Sequence, residues 1–596
     1  MSTRFEVWAP WAKRVDVEAG GIRHAMDALE SGWWSADVSE ARHGIDYGFV
    51  LDDVDEVLPD PRSPWQPDGV HGLSRVYDHD RFPWTDQHWH GRPLPGSVLY
   101  EMHVGTYTPE GTFDAAAERL DHLVALGIDA VELLPVASFP GAHGWGYDGV
   151  HLWAPHEPYG GPDALKRFVD AAHERGIAVV LDVVYNHLGP DGNRLASYGP
   201  YFTSIHPTPW GDAVNFDQDG SAEVRAFVVQ NALMWLRDYH FDGLRIDAVH
   251  AMTDHGAVHI LEELSTAVAA LSAHVGRELS LIAESDLNDP RLVTSREAGG
   301  HGLDAQWNDD FHHALHAALT GERQGYYCDF GALETLKKAL TEVFVHDGSW
   351  STFRGRPHGR PVDVQRTSAH RFIGFLQNHD QVGNRAVGDR IGAIPAPSGL
   401  LKVGAALLLL APFTPMLFMG EEWGASTPWC YFTDHQDPDL ARAVSAGRRR
   451  EFARHGWTGP VPDPQAVETF RRSVLDWSEP DRPYHRDLLE WHRELIALRR
   501  ARPELTDPRL TATAVETDDG EARWLLMRRG QVCVAANVGD VPVVLPVPAP
   551  ARLLLGSDPA IRLDDDMIGD SGTAAVALPG ASAAVLDGSA AARARA

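Results

Sequence analysis

The sequence predicts an α/β protein: a (β/α)8 barrel over residues 93–504, flanked by an N-terminal β-sandwich (1–92) and a C-terminal antiparallel β domain (505–596). Three observations carry that prediction. Between residues 97 and 420, eight short apolar runs alternate with longer segments of helical periodicity, the pattern of a barrel more than of a doubly wound sheet. Period-two alternation replaces it at both ends of the chain. A Pro- and Gly-rich stretch, LPDPRSPWQPDGVHG at 58–72, reads as an extended connector leaving the first unit.

The opening unit begins with Phe5, Val7 and Ala9, then Val15 and Val17, which alternate as strands with one buried face. Trp33-Trp34 and Tyr47-Gly48-Phe49 suggest further short strands. The barrel strands are expected at 97–104, 128–136, 177–184, 241–247, 279–284, 303–307, 371–378 and 414–420. Helical patterns separate most of them, as at Phe113–Leu126, Asp163–Arg175 and Glu223–Tyr239. The longest apolar run, Val403 to Met419, approaches membrane-spanning length, but Pro412 and Pro415 interrupt it. A buried helix handing over to a buried strand is the better reading. After a helix near Leu488–Arg500, alternation returns in RWLLMRRG, QVCVAANVG and VPVVLPVP; the final AARARA reads as a frayed tail.

Composition narrows the function classes. The 596 residues carry 52 Lys+Arg against 84 Asp+Glu, a net charge of −32, which disfavours nucleic acid and anionic membranes as partners. A neutral polyhydroxylated substrate meets no such penalty. Cys328, Cys430 and Cys533 form neither a disulfide framework nor a metal-type pair, and MSTRFEVWAP has no signal-peptide pattern, so a reducing, cytoplasmic location is expected.

In such a barrel, chemistry sits at the C-terminal strand ends. Acids stand at four of them: Asp182, Asp247, Glu284 and Asp380. Strand periodicity puts Arg245 on the same face as Asp247, with Leu244 and Ile246 facing the helices. Charges inside a barrel are costly unless paired or used. Any one acid reads as readily as a buried structural carboxylate or a helix cap; four on four strand ends do not.

The segments DVVYNH (182–187), GLRIDAVH (243–250), IAES (282–285) and LQNHDQ (376–381) resemble, in order and spacing, the four signature regions of the α-amylase superfamily, glycoside hydrolase family 13. The resemblance covers roughly residues 95–500, and the flanking units resemble that family's accessory, carbohydrate-binding-module-like domains. It implies Asp247 as nucleophile, Glu284 as general acid/base and Asp380 as transition-state stabiliser of a retaining glycosidase. It implies sugar contacts from His187, His379 and the stacking aromatic Tyr147, with Asp148 steadying the tyrosine's loop. Asp182 and Arg245 belong to the same substrate-binding surround, Arg245 lowering the pKa of Asp247 and the two other acids raising that of Glu284. His250 stands where many members carry Lys-His, which opens the leaving-group side to a different contact.

Further stretches, WGYDGVHLWAPHEPYGGPDALKRFVDAAHERG, NHLGPDGN and QNHDQVGNRA together with the 58–72 connector, are similar to trehalose-releasing members of the family. They imply a maltooligosyltrehalose or related α-1,4-glucan as substrate and maltooligosyltrehalose synthase as functional pathway partner. A glycogen branching or debranching enzyme shares the layout and is the alternative. A non-catalytic carbohydrate-binding protein would lack an acid, and none is missing. Asn186 aligns with a calcium ligand of typical amylases, but the short loop after it offers no oxygen cluster, so neither metal nor cofactor is expected. His312 and His316 have helical ligand spacing without HExxH or a third ligand, and Arg448–Arg450 reads as a solvated face. Trp145 and Trp210 serve equally well as sugar platforms or loop anchors.

Overall fold

The structure is a computed structural model that describes residues 3–588 apart from 53, 209, 395–396, 455–458 and 565–572; the expected frayed tail lies outside the described residues. Eight parallel strands close into a barrel. They are β1 (Leu99–Met102), β2 (Ala130–Leu133), β3 (Ala178–Val183), β4 (Gly243–Ile246), β5 (Ser280–Ala283), β6 (Ala305–Trp307), β7 (Phe372–Phe375) and β8 (Thr414–Phe418). Each pairs with its sequence neighbours, and β8 closes on β1 through Met416↔Leu99 and Phe418↔Glu101. All eight fall inside the predicted runs.

The helices follow from their apolar spacing. Gly161–Glu174 and Ser221–Asp238 match expectation to within two residues, whereas the first predicted helix is broken into Phe113–Ala117 and Leu120–Leu126. No α-helix joins β5 to β6; two short 3-10 turns, Pro290–Leu292 and Arg296–Ala298, do so instead. The apolar run near 410 resolves into the helix Gly399–Leu409 and β8. Pro412 lies in the turn between them, while Pro415 is part of β8 and does not interrupt it. No helix among the described residues is long and apolar enough to cross a membrane.

Inward-facing positions form two layers. Leu99, Ala130, Val180, Ile282, Ala305, Ile373 and Met416 pack together towards the strand starts. Two residues further along the same strands come Glu101, Glu132, Asp182 and Glu284. Register sets this upper layer: Val180 pairs with Gly243 and Asp182 with Arg245, so an acid and a base share one rung. Gly243 is required there, because a Cβ would sit 2.8 Å from the carbonyl oxygen of Ser280.

Two small antiparallel sheets precede the barrel. One orders Thr3–Trp8, Trp33–Val38 and Asp27–Ala28; the other Ile22–Ala25, Val15–Ala19, Asp46–Leu51 and Ser74–Arg75. After the helix Pro483–Ala501, five strands and three strands form two antiparallel sheets around Leu526, Leu545, Val576 and Leu586. Buried Arg499 and Arg529 both donate to the carbonyl of Ala411, tying the last barrel helix and the C-terminal sheet to one turn. Cys328, Cys430 and Cys533 are all free.

Candidate active site

Arg245 is the centre of the charged layer. Its Nη1 lies 2.9 and 2.8 Å from the two oxygens of Asp182 and 2.8 Å from Asp247 Oδ1. Its Nη2 stands 3.9 Å from Glu284 Oε2, and the guanidinium lies over the Trp307 ring, 4.2 Å from the centroid. One fully buried cation therefore faces three carboxylates and an aromatic surface, which offsets its desolvation. The second oxygen of Asp247 accepts a 2.7 Å hydrogen bond from Asn186 Nδ2. Asn186 thus holds the Asp247 carboxylate in place. Asp182 also accepts a 2.5 Å bond from the Tyr147 hydroxyl, and burial, only partly offset by Arg245, lifts its pKa to about 6.

Glu284 follows β5 and accepts a 2.6 Å hydrogen bond from the backbone N–H of Ala248. That contact requires the residue after Asp247 to turn left-handed, and Ala248 does so at φ 39°, ψ 51°. Burial pushes the Glu284 carboxyl well above the usual carboxylate range; Arg245 opposes the shift, while Asp247, Asp309 and Asp380 reinforce it. The direction agrees with expectation, but burial ranks ahead of like charges as its cause.

Asp380 does not end a strand. It sits in the first turn of the short helix His379–Gly383, which Asn378 caps by accepting from the N–H of Gln381. Its carboxylate is the most open of the three acids and lies 3.5 Å from His379 Nε2. The other face of His379 meets Glu101: Nδ1 is 2.5 Å from Oε1, and the backbone N–H donates to Oε2 at 2.8 Å. Burial opposes a charged ring here, yet Asp380 and Glu101 outweigh it and raise the His379 pKa to about 9. Glu132 lies beside Glu101 with one oxygen lacking a hydrogen-bond partner among the described residues. Burial, then Glu101, drives its pKa well above the ordinary value.

The Tyr147 ring stacks against His379, with centroids 5.1 Å apart and planes at 20°. His187 Nε2 is 3.1 Å from the Tyr147 carbonyl oxygen, and its ring stacks on Trp210 at 4.6 Å and 8°. Trp210 is half exposed beside that histidine, which suits a sugar platform. Trp145 is an anchor: it is buried, donates to the carbonyl of Cys430 at 3.0 Å and stacks on Trp429. Asp148 faces His435 at 3.9 Å, away from the acids, in keeping with a loop-steadying residue. His250 is exposed on the turn after Asp247 and acts electrostatically on Asp286.

Sequence reasoning missed Glu101, Glu132, Asp309 and the Asp286–Arg354 pair. The first two interrupt apolar strand runs, a signal that was available. Asp309 follows β6, and burial, then Asp286 and Asp380, raises its pKa to about 8. Arg354 donates to Asp286 at 2.6 Å from far along the chain, and no local pattern announces that pair. His312 and His316 are structural: His312 lies between Leu376 O and the Tyr327 hydroxyl, and His316 faces Glu322 at 2.8 Å. The solvated-face reading of Arg448 is corrected. It is buried, donates to the Gly383 carbonyl at 2.6 Å and lies over the Tyr431 and Phe452 rings, so it supports the helix carrying Asp380.

Comparison with known proteins places this geometry in a family. The model for the alpha amylase catalytic domain matches residues 75–197, and one for a domain of unknown function, DUF3459, matches 508–585. A malto-oligosyltrehalose trehalohydrolase from Rhizobium sp. (strain M-11) is 53% identical over 98% of this chain and 97% of its own length. Its counterpart from Mycobacterium tuberculosis strain H37Rv is 50% identical over 96% and 97%. Among solved structures, a Salmonella typhimurium protein assigned as an alpha amylase superposes with a TM-score of 0.88 at 39% identity, covering 98% of each chain. The chain belongs to the malto-oligosyltrehalose trehalohydrolase family of α-amylase-type glycosidases.

Proposed function

We propose that this protein hydrolyses the α-1,4-glucosidic bond next to the terminal trehalose of maltooligosyltrehalose, releasing trehalose and a maltooligosaccharide with retention at the anomeric carbon. One observation carries the substrate: relatives sharing about half of their residues over nearly their whole length bear that activity in their names. The likeness includes the flanking β units of the proposed 1–92, 93–504 and 505–596 division. A branching or debranching reading is less well supported: a branching enzyme matches 52% of this chain at 32% identity, and pullulanase structures share the fold at 19% identity.

The chemistry is read from the charged layer. Asp247, with one oxygen on Arg245 and the other on Asn186, is an acceptor-only carboxylate aimed along one line, suited to attack C1 of the sugar. Glu284, its pKa raised by burial, supplies the proton to the departing trehalose oxygen. The C1–O bond to trehalose breaks as the Asp247 ester forms. Glu284, now ionised, takes a proton from water, whose oxygen attacks C1 and releases Asp247. Asp380 and the protonated His379 bind the hydroxyls of the distorted sugar, against which Tyr147 stacks. Maltooligosyltrehalose synthase would supply the substrate, and the unpaired cysteines favour a cytoplasmic setting.

Parallel incubations with maltotriosyltrehalose and maltopentaose, with products separated by chromatography, test this reading. Trehalose and maltotriose from the first, with far slower cleavage of the second, are expected. Chain-lengthened or branched products would favour glycosyl transfer.

A further inference from the structure

A hairpin of strands Phe202–Thr208 and Gly211–Val214 carries Trp210 beside its turn and brings it onto His187. The same hairpin carries His206, whose ring meets Asp217 and His255. We propose that His206, Asp217 and His255 form a binding site for a divalent transition-metal ion of the zinc class, which ties the Trp210 hairpin to the loop after β4.

The three residues each offer one ligand atom, and these atoms lie within 4.8 Å of one another. His206 Nε2 stands 3.1 and 3.0 Å from the two Asp217 oxygens, and His255 Nδ1 is 3.5 Å from Oδ2. A tetrahedral ion with bonds of about 2.0–2.1 Å separates its donors by roughly 3.3–3.4 Å, so these spacings bracket the requirement. Two imidazoles and one carboxylate leave a fourth position for water. That donor set suits zinc, nickel or cobalt, whereas calcium and magnesium demand more oxygens.

Further contacts hold the donors in place. The Asp217 side chain is only 4% exposed and accepts from Gln218 Nε2 at 2.6 Å and from the backbone N–H of His255 at 3.0 Å. Such outer bonds orient a ligating carboxylate. The His206 and His255 rings meet edge to face at 4.9 Å, converging on the carboxylate from two chain segments. Sequence reading could not find this trio, because its members are 11 and 38 residues apart and follow no motif. It is also distinct from Asn186, which is engaged with Asp247.

Zinc titration of the full chain by calorimetry tests the proposal, in a Cys328→Ser background that removes the exposed thiol. The expected result is one equivalent bound with a Kd of about 10 µM or tighter. His206→Ala/His255→Ala should weaken that binding by at least about tenfold with unchanged circular dichroism. Because the His255 ring is largely exposed, His255→Ala alone keeps the test valid if the double variant misfolds. Zinc should also raise the thermal midpoint of the parent but not of the variant. Equal binding by parent and variant, or none at about 100 µM zinc, would overturn the proposal and leave the trio an ion-pair cluster only.

Discussion

The two halves of the barrel interior are built on the same eight strands and behave as opposites. The lower half, with Leu99, Val180, Ile282 and Met416, is close-packed apolar material that gains stability from burial. The upper half, two residues further along those strands, buries Glu101, Glu132, Asp182 and Arg245. Burying four ionisable groups stabilises little, and Glu132 and Arg245 both keep polar atoms without hydrogen-bond partners among the described residues. Stability resides in one layer and reactivity in the next, and the step between them is a single strand period.

Substitutions in the two layers should therefore separate stability from turnover. Asp247→Ala is expected to lower kcat by at least about four orders of magnitude. The thermal midpoint should barely move, since Arg245 keeps Asp182 as its partner. Near-normal turnover in steady-state assays would end the nucleophile assignment. Ile282→Ala, one layer below, should do the reverse: a loss of about 2–5 kcal/mol in denaturant unfolding with a minor change in kcat. A large kinetic effect without destabilisation would dissolve the comparison.

Glu101→Gln is intermediate, because Glu101 positions His379 and, on this account, does not touch the sugar. Losing one charged hydrogen bond should reduce kcat/KM by roughly ten- to a hundredfold. The stability it contributes should have a defined pH window. With the His379 pKa raised to about 9 from an ordinary 6.5, that contribution is complete below 6.5 and is lost as pH rises through about 9. The stability gap between wild type and Glu101→Gln should accordingly close across that interval; a gap constant with pH would contradict a charged His379.

The smallest expected shift is in the pH profile of Asp380→Asn. Besides slowing the reaction, removing one negative neighbour should shift the basic limb of the kcat/KM profile by less than about one unit towards lower pH. The shift is small because burial ranks ahead of Asp380 in raising the Glu284 pKa. Profiling the residual activity on a substrate whose leaving group still needs a proton checks this; a limb that stays in place would show that Asp380 does not act on Glu284 through its charge.

What was legible in the sequence follows the same division. Strand periodicity was enough to place the barrel strands and to put Arg245 and Asp247 on one face, because both depend on spacing within a single element. The alternation that pairs Leu99 with Glu101 and Ala130 with Glu132 was equally local, and following it two residues further would have exposed both acids. The Trp210–His187 stack, the Arg354–Asp286 pair and the burial of Arg448 depend on where long loops return, and no periodicity encodes that. The missing helix after β5 was hidden for a different reason: Pro290 and Gly299 punctuate the connection to β6, and its 3-10 turns follow no apolar stripe.

The central claim is that the buried Arg245 holds Asp247 as a nucleophile and Glu284 as its acid partner. Following the anomeric protons by NMR in the first minutes of maltotriosyltrehalose cleavage tests it most directly. The account predicts that the new reducing end appears first as the α anomer and then mutarotates, as two displacements at C1 require. Initial appearance of the β anomer would mean a single displacement by water, with Asp247 acting as a base, and would contradict the account.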